Sequence, residues 1–176
     1  MYLLTRKNKK KSNKDYKHGF TLVETLIAVT ILITSLVGPL VVAQKGLISA
    51  NFARDQVAAS YLAGEAVEYI RNKRDENALA GLSWLNGLYS CIDGKCAVDV
   101  INDAISACSE NCPNLQVDPE NGFYGYGNGW VNSIFKREVK ISNINNSEVA
   151  IAVTVLWKSG ILAREFILRE NIFDWQ

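Results

Sequence analysis

The sequence Gly19-Phe20-Thr21-Leu22-Val23-Glu24 opens a long apolar stretch and decides how the chain is organised. Residues 25–44, which follow it, carry no charge and consist mainly of Leu, Ile, Val and Ala. As a helix, this stretch would measure about 30 Å, the thickness of a bilayer core. Glu24 is the only charged residue between Lys17 and Lys45. Because a carboxylate at a membrane edge is costly unless it is paired, Glu24 predicts assembly with another chain.

The segment before this stretch is strongly basic. Residues 1–19 hold seven Lys or Arg and one Asp, a net charge of +6, whereas the rest of the chain has a net charge of −5. A cationic flank is retained in the cytoplasm, so we expect a cytoplasmic N-terminus and an exported C-terminal part. A nucleic-acid-binding tail is the alternative interpretation. The tail adjoins a membrane segment, and Tyr16 is the one aromatic residue interleaved with its basic residues, since Tyr2 precedes them; we therefore predict no nucleic-acid partner.

An ordinary secretory signal is the second alternative for the N-terminal region. Val41-Val42-Ala43 would supply the small-residue cleavage site that such a signal requires. The apolar run is, however, longer than the roughly 7–15 residues typical of a secretory signal, and Glu24 lies beside it. These two features favour a permanent anchor.

The residues from Gly19 onward resemble the class III signal of type IV pilin-like proteins. The resemblance rests on Gly19 followed by Phe20-Thr21-Leu22-Val23-Glu24-Thr25-Leu26-Ile27-Ala28 and an uninterrupted apolar stretch. It implies that residues 1–19 are a leader, which a membrane prepilin peptidase removes by cutting between Gly19 and Phe20. It also implies N-methylation of Phe20 and a requirement for Glu24 when subunits pack into a pilus or pseudopilus.

Residues 20–44 are therefore predicted to form a transmembrane or filament-core helix, which continues as an amphipathic helix over residues 45–75. Gly38 and Pro39 should kink the first part, because proline removes a backbone donor and clashes with the preceding turn. In the resembling family, a proline in this region marks where the helix melts on packing. The second part repeats apolar residues every four positions, which predicts a face that packs on a globular domain: Ala58, Leu62, Ala66 and Ile70.

Residues 131–176 are predicted to form an antiparallel β-sheet. Phe135–Ile141 and Val149–Trp157 alternate apolar and polar residues with the period of a strand, and Ile161–Ile172 alternates less regularly. Asn145-Asn146 and Lys158-Ser159-Gly160 supply the turns. The predicted fold class is α+β, with a long N-terminal helix packed on a C-terminal antiparallel sheet, and the resemblance implies the same arrangement.

Residues 76–130 are predicted to be a variable insertion that holds all four cysteines. Their spacing allows three pairings, and we predict Cys91–Cys96 and Cys108–Cys112. Asp93-Gly94 is typical of a hairpin turn, which would bring Cys91 and Cys96 within disulfide range. An exported segment favours disulfides. A zinc site is the alternative, although neither spacing is the usual CxxC.

Two loops within the insertion carry candidate recognition features. The run Phe123-Tyr124-Gly125-Tyr126-Gly127-Asn128-Gly129-Trp130 could be an exposed recognition loop or could pack its rings against the sheet. Asp118-Pro119-Glu120-Asn121 could contribute to a calcium site, but such a turn is more often a solvated loop.

The composition argues against an enzyme. His18 is the single histidine and lies in the predicted leader, and the sequence contains no phosphate-binding or dinucleotide-binding fingerprint. We predict no catalytic residue, no cofactor and no metal. The favoured function is a structural minor subunit, a minor pilin or pseudopilin of a type IV pilus, competence pilus or type II secretion pseudopilus. The alternative is a membrane-anchored or secreted binding module that acts through the cysteine-rich and aromatic loop.

The partners that the favoured function implies follow from the resemblance. They are the prepilin peptidase, the major pilin and other minor pilins, an inner-membrane assembly platform and membrane lipid. After assembly, the chain is expected in an extracellular or periplasmic filament.

Overall fold

The structure is a computed structural model that describes residues 19–174. The helix α1 is Leu22–Leu79, and a short 3-10 turn is Tyr89–Cys91. The strands are β1 Lys95–Asp99, β2 Ala104–Cys108, β3 Asn114–Val117, β4 Tyr124–Gly125, β5 Val131–Asn145, β6 Glu148–Ser159 and β7 Leu162–Phe173. The chain divides into two compact units, Met1–Leu47 (the N-terminal unit) and Ile48–Gln176 (the C-terminal unit).

In the N-terminal unit, α1 exposes every side chain of residues 22–47. It is long and apolar enough to cross a membrane, with a mean hydropathy of 2.5 over its most apolar window. Its hydroxyls donate within the helix: Thr30 donates to the Ile27 carbonyl oxygen and Ser35 to that of Leu32. The helix continues through Gly38 and Pro39, and the kink there stays a prediction.

In the C-terminal unit, α1 runs one turn further than the predicted end near Asp75. The chain then leaves the helix through Gly81, whose φ of 69° is in the left-handed region that glycine adopts easily. The Gly81 N–H donates to the Ala78 carbonyl oxygen, and the Leu82 N–H donates to that of Asn77, which is the Schellman pattern of a helix C-terminus. By charge, Arg71, Lys73 and Arg74 suit a helix C-terminus and favour an end near Asp75. The geometry of Gly81 instead decides where α1 ends.

One face of α1 in this unit packs against the sheet. The predicted apolar stripe is confirmed, since Leu62, Ala66 and Ile70 are buried and Ala58 is partly buried. Ala59, Ala63 and Val67 widen the stripe, and the small alanines let the helix approach the strands closely. The helix and the sheet share one hydrophobic core.

The strands β5, β6 and β7 form the predicted antiparallel meander. Strand β6 alternates strictly, and its inward residues are all buried: Val149, Ile151, Val153, Val155 and Trp157. The turns fall where the sequence places them, after Asn145 and at Gly160, which has a φ of 62°. The fold class is therefore α+β, as predicted.

The sheet is larger than the range 131–176 that periodicity indicates. Strands β1 to β4 come from the predicted insertion and join the same sheet in the order β2-β1-β5-β3-β4, with β6 on the other edge of β5. These strands have two to five residues each. Strands this short show too few alternations for a period of two to be recognised.

The aromatic and glycine run is mostly packed. Tyr124 lies in β4, and its ring meets Phe135 edge to face, with 6.0 Å between centroids. The Trp130 ring covers Gly125 and Gly127, because a Cβ added at either glycine would lie 3.0 Å or less from that ring. Among the aromatic rings of the run, that of Phe123 is the exception, since its side chain is exposed.

A methyl group at position 127 should destabilise the C-terminal unit. A Cβ at Gly127 would lie 2.5 Å from the Trp130 ring, so Gly127→Ala forces the indole to move. We expect a loss of about 1–3 kcal/mol in the free energy of unfolding, measured by denaturant titration of the full chain in detergent. Gly94→Ala is the matched control, because a Cβ there meets only atoms 3.9 Å away. Equal unfolding midpoints for the two variants would contradict the packing of Trp130.

Tyr69 and Lys73 of α1 form a polar cluster with Asp103, which lies in the turn between β1 and β2. The Tyr69 hydroxyl donates to Asp103 Oδ1 at 2.7 Å, and Lys73 Nζ donates to Asp103 Oδ2 at 3.0 Å. Burial, followed by the bond to Asp103, raises the pKa of Tyr69. The bonds from Tyr69 and Lys73 lower the pKa of Asp103.

Tyr69→Phe should therefore lower stability in a pH-dependent way. Because the pKa of Asp103 is lowered, the stability that its carboxylate contributes is present above about pH 4 and is lost as the pH falls through the folded-state pKa. Because the pKa of Tyr69 is raised, the stability that its protonated hydroxyl contributes is present below about pH 10 and is lost as the pH rises through the folded-state pKa. We expect a deficit of about 1 kcal/mol at pH 7 that shrinks at pH 3.

Denaturant titrations at the two pH values measure this deficit. Tyr89→Phe is the control, because the Tyr89 hydroxyl makes only an exposed 3.4 Å bond to Ser83. A Tyr69→Phe deficit that is the same at pH 3 and pH 7 would show that the cluster contributes no charge-dependent stability.

Candidate processing and assembly site

Gly19, Phe20 and Thr21 lie outside the helix and are exposed to solvent. Phe20 has 80% of its surface accessible. Among the described residues, no atom lies within 4 Å of a Cβ added at Gly19. The resemblance predicts cleavage of the bond between Gly19 and Phe20. This bond therefore lies in an exposed segment outside the helix.

Thr21 directly precedes the helix, which begins at Leu22. Its carbonyl oxygen accepts the N–H of Thr25 at 3.1 Å, which is the first bond of the helical ladder. Its Oγ1 accepts the N–H of Glu24 at 3.2 Å, so the side chain satisfies a donor that has no partner within the helix. Both bonds make Thr21 the N-cap.

Glu24 stands in the first turn of α1, exposed, three residues after the cap. Its backbone N–H is bonded to Thr21, but within residues 19–174 its carboxylate takes part in no hydrogen bond or salt bridge. The carboxylate also precedes a helix segment whose side chains are exposed and apolar. Such an arrangement leaves the charge available to a cation from outside the described chain.

The four cysteines form two disulfides, Cys91–Cys96 and Cys108–Cys112, with Cα separations of 4.9 and 5.0 Å. These are the pairs that the spacing predicts, but the reason given for the first pair is wrong. Cys91 is the last residue of the 3-10 turn and does not lie in a strand. The predicted hairpin turn requires a positive φ at both central residues, but only Asp93 has one, with a φ of 58°. The link is made differently: the Asp93 N–H donates to the Ile141 carbonyl oxygen of β5.

The loop around Asp118 is stabilised by its own hydrogen bonds. Asp118 accepts the Glu120 N–H at 2.9 Å and a bond from the Asn121 amide at 2.9 Å, and these bonds lower its pKa. Among residues 19–174, no group of three or more histidine, cysteine or acidic side chains is placed to hold a metal ion. The two bonds that Asp118 accepts are those of a local turn.

Arg137 is a buried residue that the sequence interpretation did not single out. It is fully buried in β5, where its Nη1 donates to the Leu62 carbonyl oxygen at 2.9 Å and to Glu65 Oε2 at 2.6 Å. Its Nη2 donates to the Val98 carbonyl oxygen at 2.7 Å. One side chain thus joins α1, β5 and β1. The sequence does indicate that Arg137 faces the core, because it is two residues from both Phe135 and Val139 and so lies on the same face of the strand.

Comparison with known proteins identifies the N-terminal region. Residues 14–38 match the family described as the prokaryotic N-terminal methylation motif. No curated protein and no solved structure matches the chain. The matched range contains the exposed Gly19–Phe20 bond, the Thr21 cap and the unpaired Glu24 carboxylate. The chain therefore carries the class III prepilin signal of type IV pilins, at the start of a long apolar helix.

Proposed function

We propose that this chain is a minor pilin or minor pseudopilin that is cut between Gly19 and Phe20 and methylated on the new amine of Phe20. The observation that carries the proposal is the methylation motif at residues 14–38, placed on an exposed bond just before the helix. The motif implies processing by a prepilin peptidase and assembly with other pilins. The apolar helix and the motif together support a membrane-anchored protein with an exported C-terminal domain.

Glu24 is the residue that we assign to assembly. Cleavage would leave an amine on Phe20 at the membrane edge, and an unpaired amine and an unpaired carboxylate are both costly there. The Phe20 amine of a neighbouring subunit can supply the cation that Glu24 lacks within the described chain. Such a pairing sets the axial register between subunits, while the exposed apolar side chains of α1 supply the contact area.

The C-terminal unit supports a specialised subunit of a pilus, competence pilus or secretion pseudopilus. Its two disulfides and packed aromatic run build a bulky region beside the meander, which is difficult to repeat many times in a tight filament. The proposed role is to help initiate or assemble the filament, in contact with the major pilin, other minor pilins, the inner-membrane assembly platform and lipid.

Replacing Glu24 tests the assembly role. Glu24→Ala and Glu24→Gln should leave membrane insertion intact and should lower recovery in sheared filaments by at least about tenfold, because both remove the charge that the amine requires. Thr34→Ala is the matched control, since the Thr34 hydroxyl donates to carbonyl oxygens of its own helix and needs no partner. Recovery of both Glu24 variants at the Thr34→Ala level would contradict the pairing.

A membrane-anchored binding module is the second candidate, and one surface favours it. A groove of about 540 Å³ lies between α1 and the aromatic run, lined in part by the exposed rings of Tyr61 and Phe123. Exposed aromatic rings are common in contact surfaces. The mature N-terminus discriminates the two functions, because a binding module requires no cut at Gly19.

A further inference from the structure

The start of α1 is fixed by one side chain. Thr21 caps the helix through its hydroxyl, which accepts the Glu24 N–H, and through its carbonyl oxygen, which accepts the Thr25 N–H. The nearest hydroxyl further along does not act in this way, since Thr25 Oγ1 donates to the Leu22 carbonyl oxygen at 2.8 Å. Within the described chain, the helix start therefore depends on Thr21.

The position of this start matters for the bond between Gly19 and Phe20. A peptidase needs its target bond in extended chain, whereas a helix engages the N–H and C=O groups of every peptide in its ladder. The helix begins at Leu22, two residues after Phe20, so the target bond lies just outside the helix. By residue type, the next capping candidate upstream is Gly19, and the next with a capping side chain is Asp15. A helix that began at either would enclose the target bond.

We infer that Thr21 is a positioning residue for processing, an inference that rests on the proposed cleavage at Gly19. Its hydroxyl holds the helix start at Leu22, so that the target bond stays in extended chain at a fixed distance from the membrane helix. If the cap is lost, the helix either extends over the bond or frays into residues 22–25. Each change moves the bond relative to the helix that anchors it.

The test compares capping and non-capping residues at position 21. Full-length wild-type chain, Thr21→Val, Thr21→Ser and Thr21→Asn are incorporated into phosphatidylethanolamine and phosphatidylglycerol vesicles with a prepilin peptidase. Valine has nearly the shape of threonine but cannot cap, whereas serine and asparagine both cap. We expect Thr21→Val to lower kcat/KM for the cut by about fivefold to tenfold. Thr21→Ser and Thr21→Asn should stay within about twofold of wild type.

Two further readouts separate positioning from other effects. Amide hydrogen exchange at Glu24 should become faster in Thr21→Val alone, because the hydrogen bond to Thr21 is then lost. The unfolding midpoint of the C-terminal unit should be equal in all four chains, since Thr21 belongs to the other unit.

Several results would overturn the inference. Thr21→Val cut at the wild-type rate would show that the cap is not needed. Thr21→Asn as slow as Thr21→Val would show that the peptidase requires the threonine side chain for another reason than capping. Both results leave the proposed function standing. A wild-type chain that is not cut between Gly19 and Phe20 would instead overturn the proposed processing, and the inference with it.

Discussion

Gly19→Trp is expected to leave a full-length, membrane-bound precursor, with cleavage reduced by about 100-fold or more. The reduction cannot come from misfolding of the described chain, because Gly19 is exposed and a Cβ there would meet no atom within 4 Å. It would come from the peptidase, in which a bulky side chain beside the target bond displaces that bond from the catalytic groups. The measurement is the ratio of precursor to mature chain on immunoblots of membranes from cells that contain a prepilin peptidase.

Gly46→Trp is the control for this experiment. Gly46 is also exposed, with open space around its Cα, but it lies far along α1 from the target bond. Its processing should equal that of wild type. Gly19→Trp processed to the wild-type mature mass would remove the assignment of the cleavage site.

Arg137→Ala is expected to lower the free energy of unfolding of the C-terminal unit by about 3–5 kcal/mol. The substitution empties a fully buried site and leaves the Leu62 and Val98 carbonyl oxygens without the guanidinium that they bind. Denaturant titration of the full chain in detergent, followed by near-ultraviolet circular dichroism, measures the loss. Arg137→Met should lose less, because methionine fills more of the emptied volume than alanine does, whereas both substitutions leave the partly exposed Glu65 carboxylate without its partner.

Lys140→Ala is the matched control for Arg137. Lys140 lies on the same strand but on the exposed face, so its loss should cost less than about 0.5 kcal/mol. Arg137→Ala with the same midpoint as Lys140→Ala would show that the buried guanidinium contributes nothing to holding α1 on the sheet.

The features that the sequence predicts well are those in which local pattern and tertiary environment agree. Strand β6 faces the core with one side along its whole length, so every second residue is apolar and the strand can be recognised directly. The helix is recognisable for the same reason, through the repeat of Leu62, Ala66 and Ile70. Gly81 is a residue type typical of the position just after a helix, but Arg71, Lys73 and Arg74 favour an earlier end.

The features that the sequence does not reveal depend on contacts between distant segments. Strand β3 is defined by pairing with β5, about twenty residues along the chain, and the β1–β2 hairpin joins the sheet only where Cys96 pairs with Val139 of β5. Both β1 and β3 are too short for their own periodicity to show. The conformation around Asp93 is likewise set by its bond to Ile141 and not by the Asp-Gly pair itself. The strand parity of Arg137 indicates the core face, but the carbonyl oxygens of Leu62 and Val98 that allow a guanidinium to be buried there come from distant segments.

At the candidate site, the sequence predicts the residues and the structure adds their hydrogen bonds. The motif is contiguous, so Gly19, Phe20 and Glu24 can be recognised without tertiary information. The capping role of Thr21 depends on helix geometry and becomes visible only in its bonds to Glu24 and Thr25. The cation that we propose as the partner of Glu24 would come from a neighbouring subunit, so the pairing remains a proposal.

The most direct test of this account is the mass of the N-terminal peptide of the wild-type chain, recovered from membranes of cells that contain a prepilin peptidase. The account predicts a peptide that begins at Phe20 and carries a methyl group on its α-amine. A chain that still begins at Met1, or one that begins after Ala43 as a secretory signal would require, would contradict it.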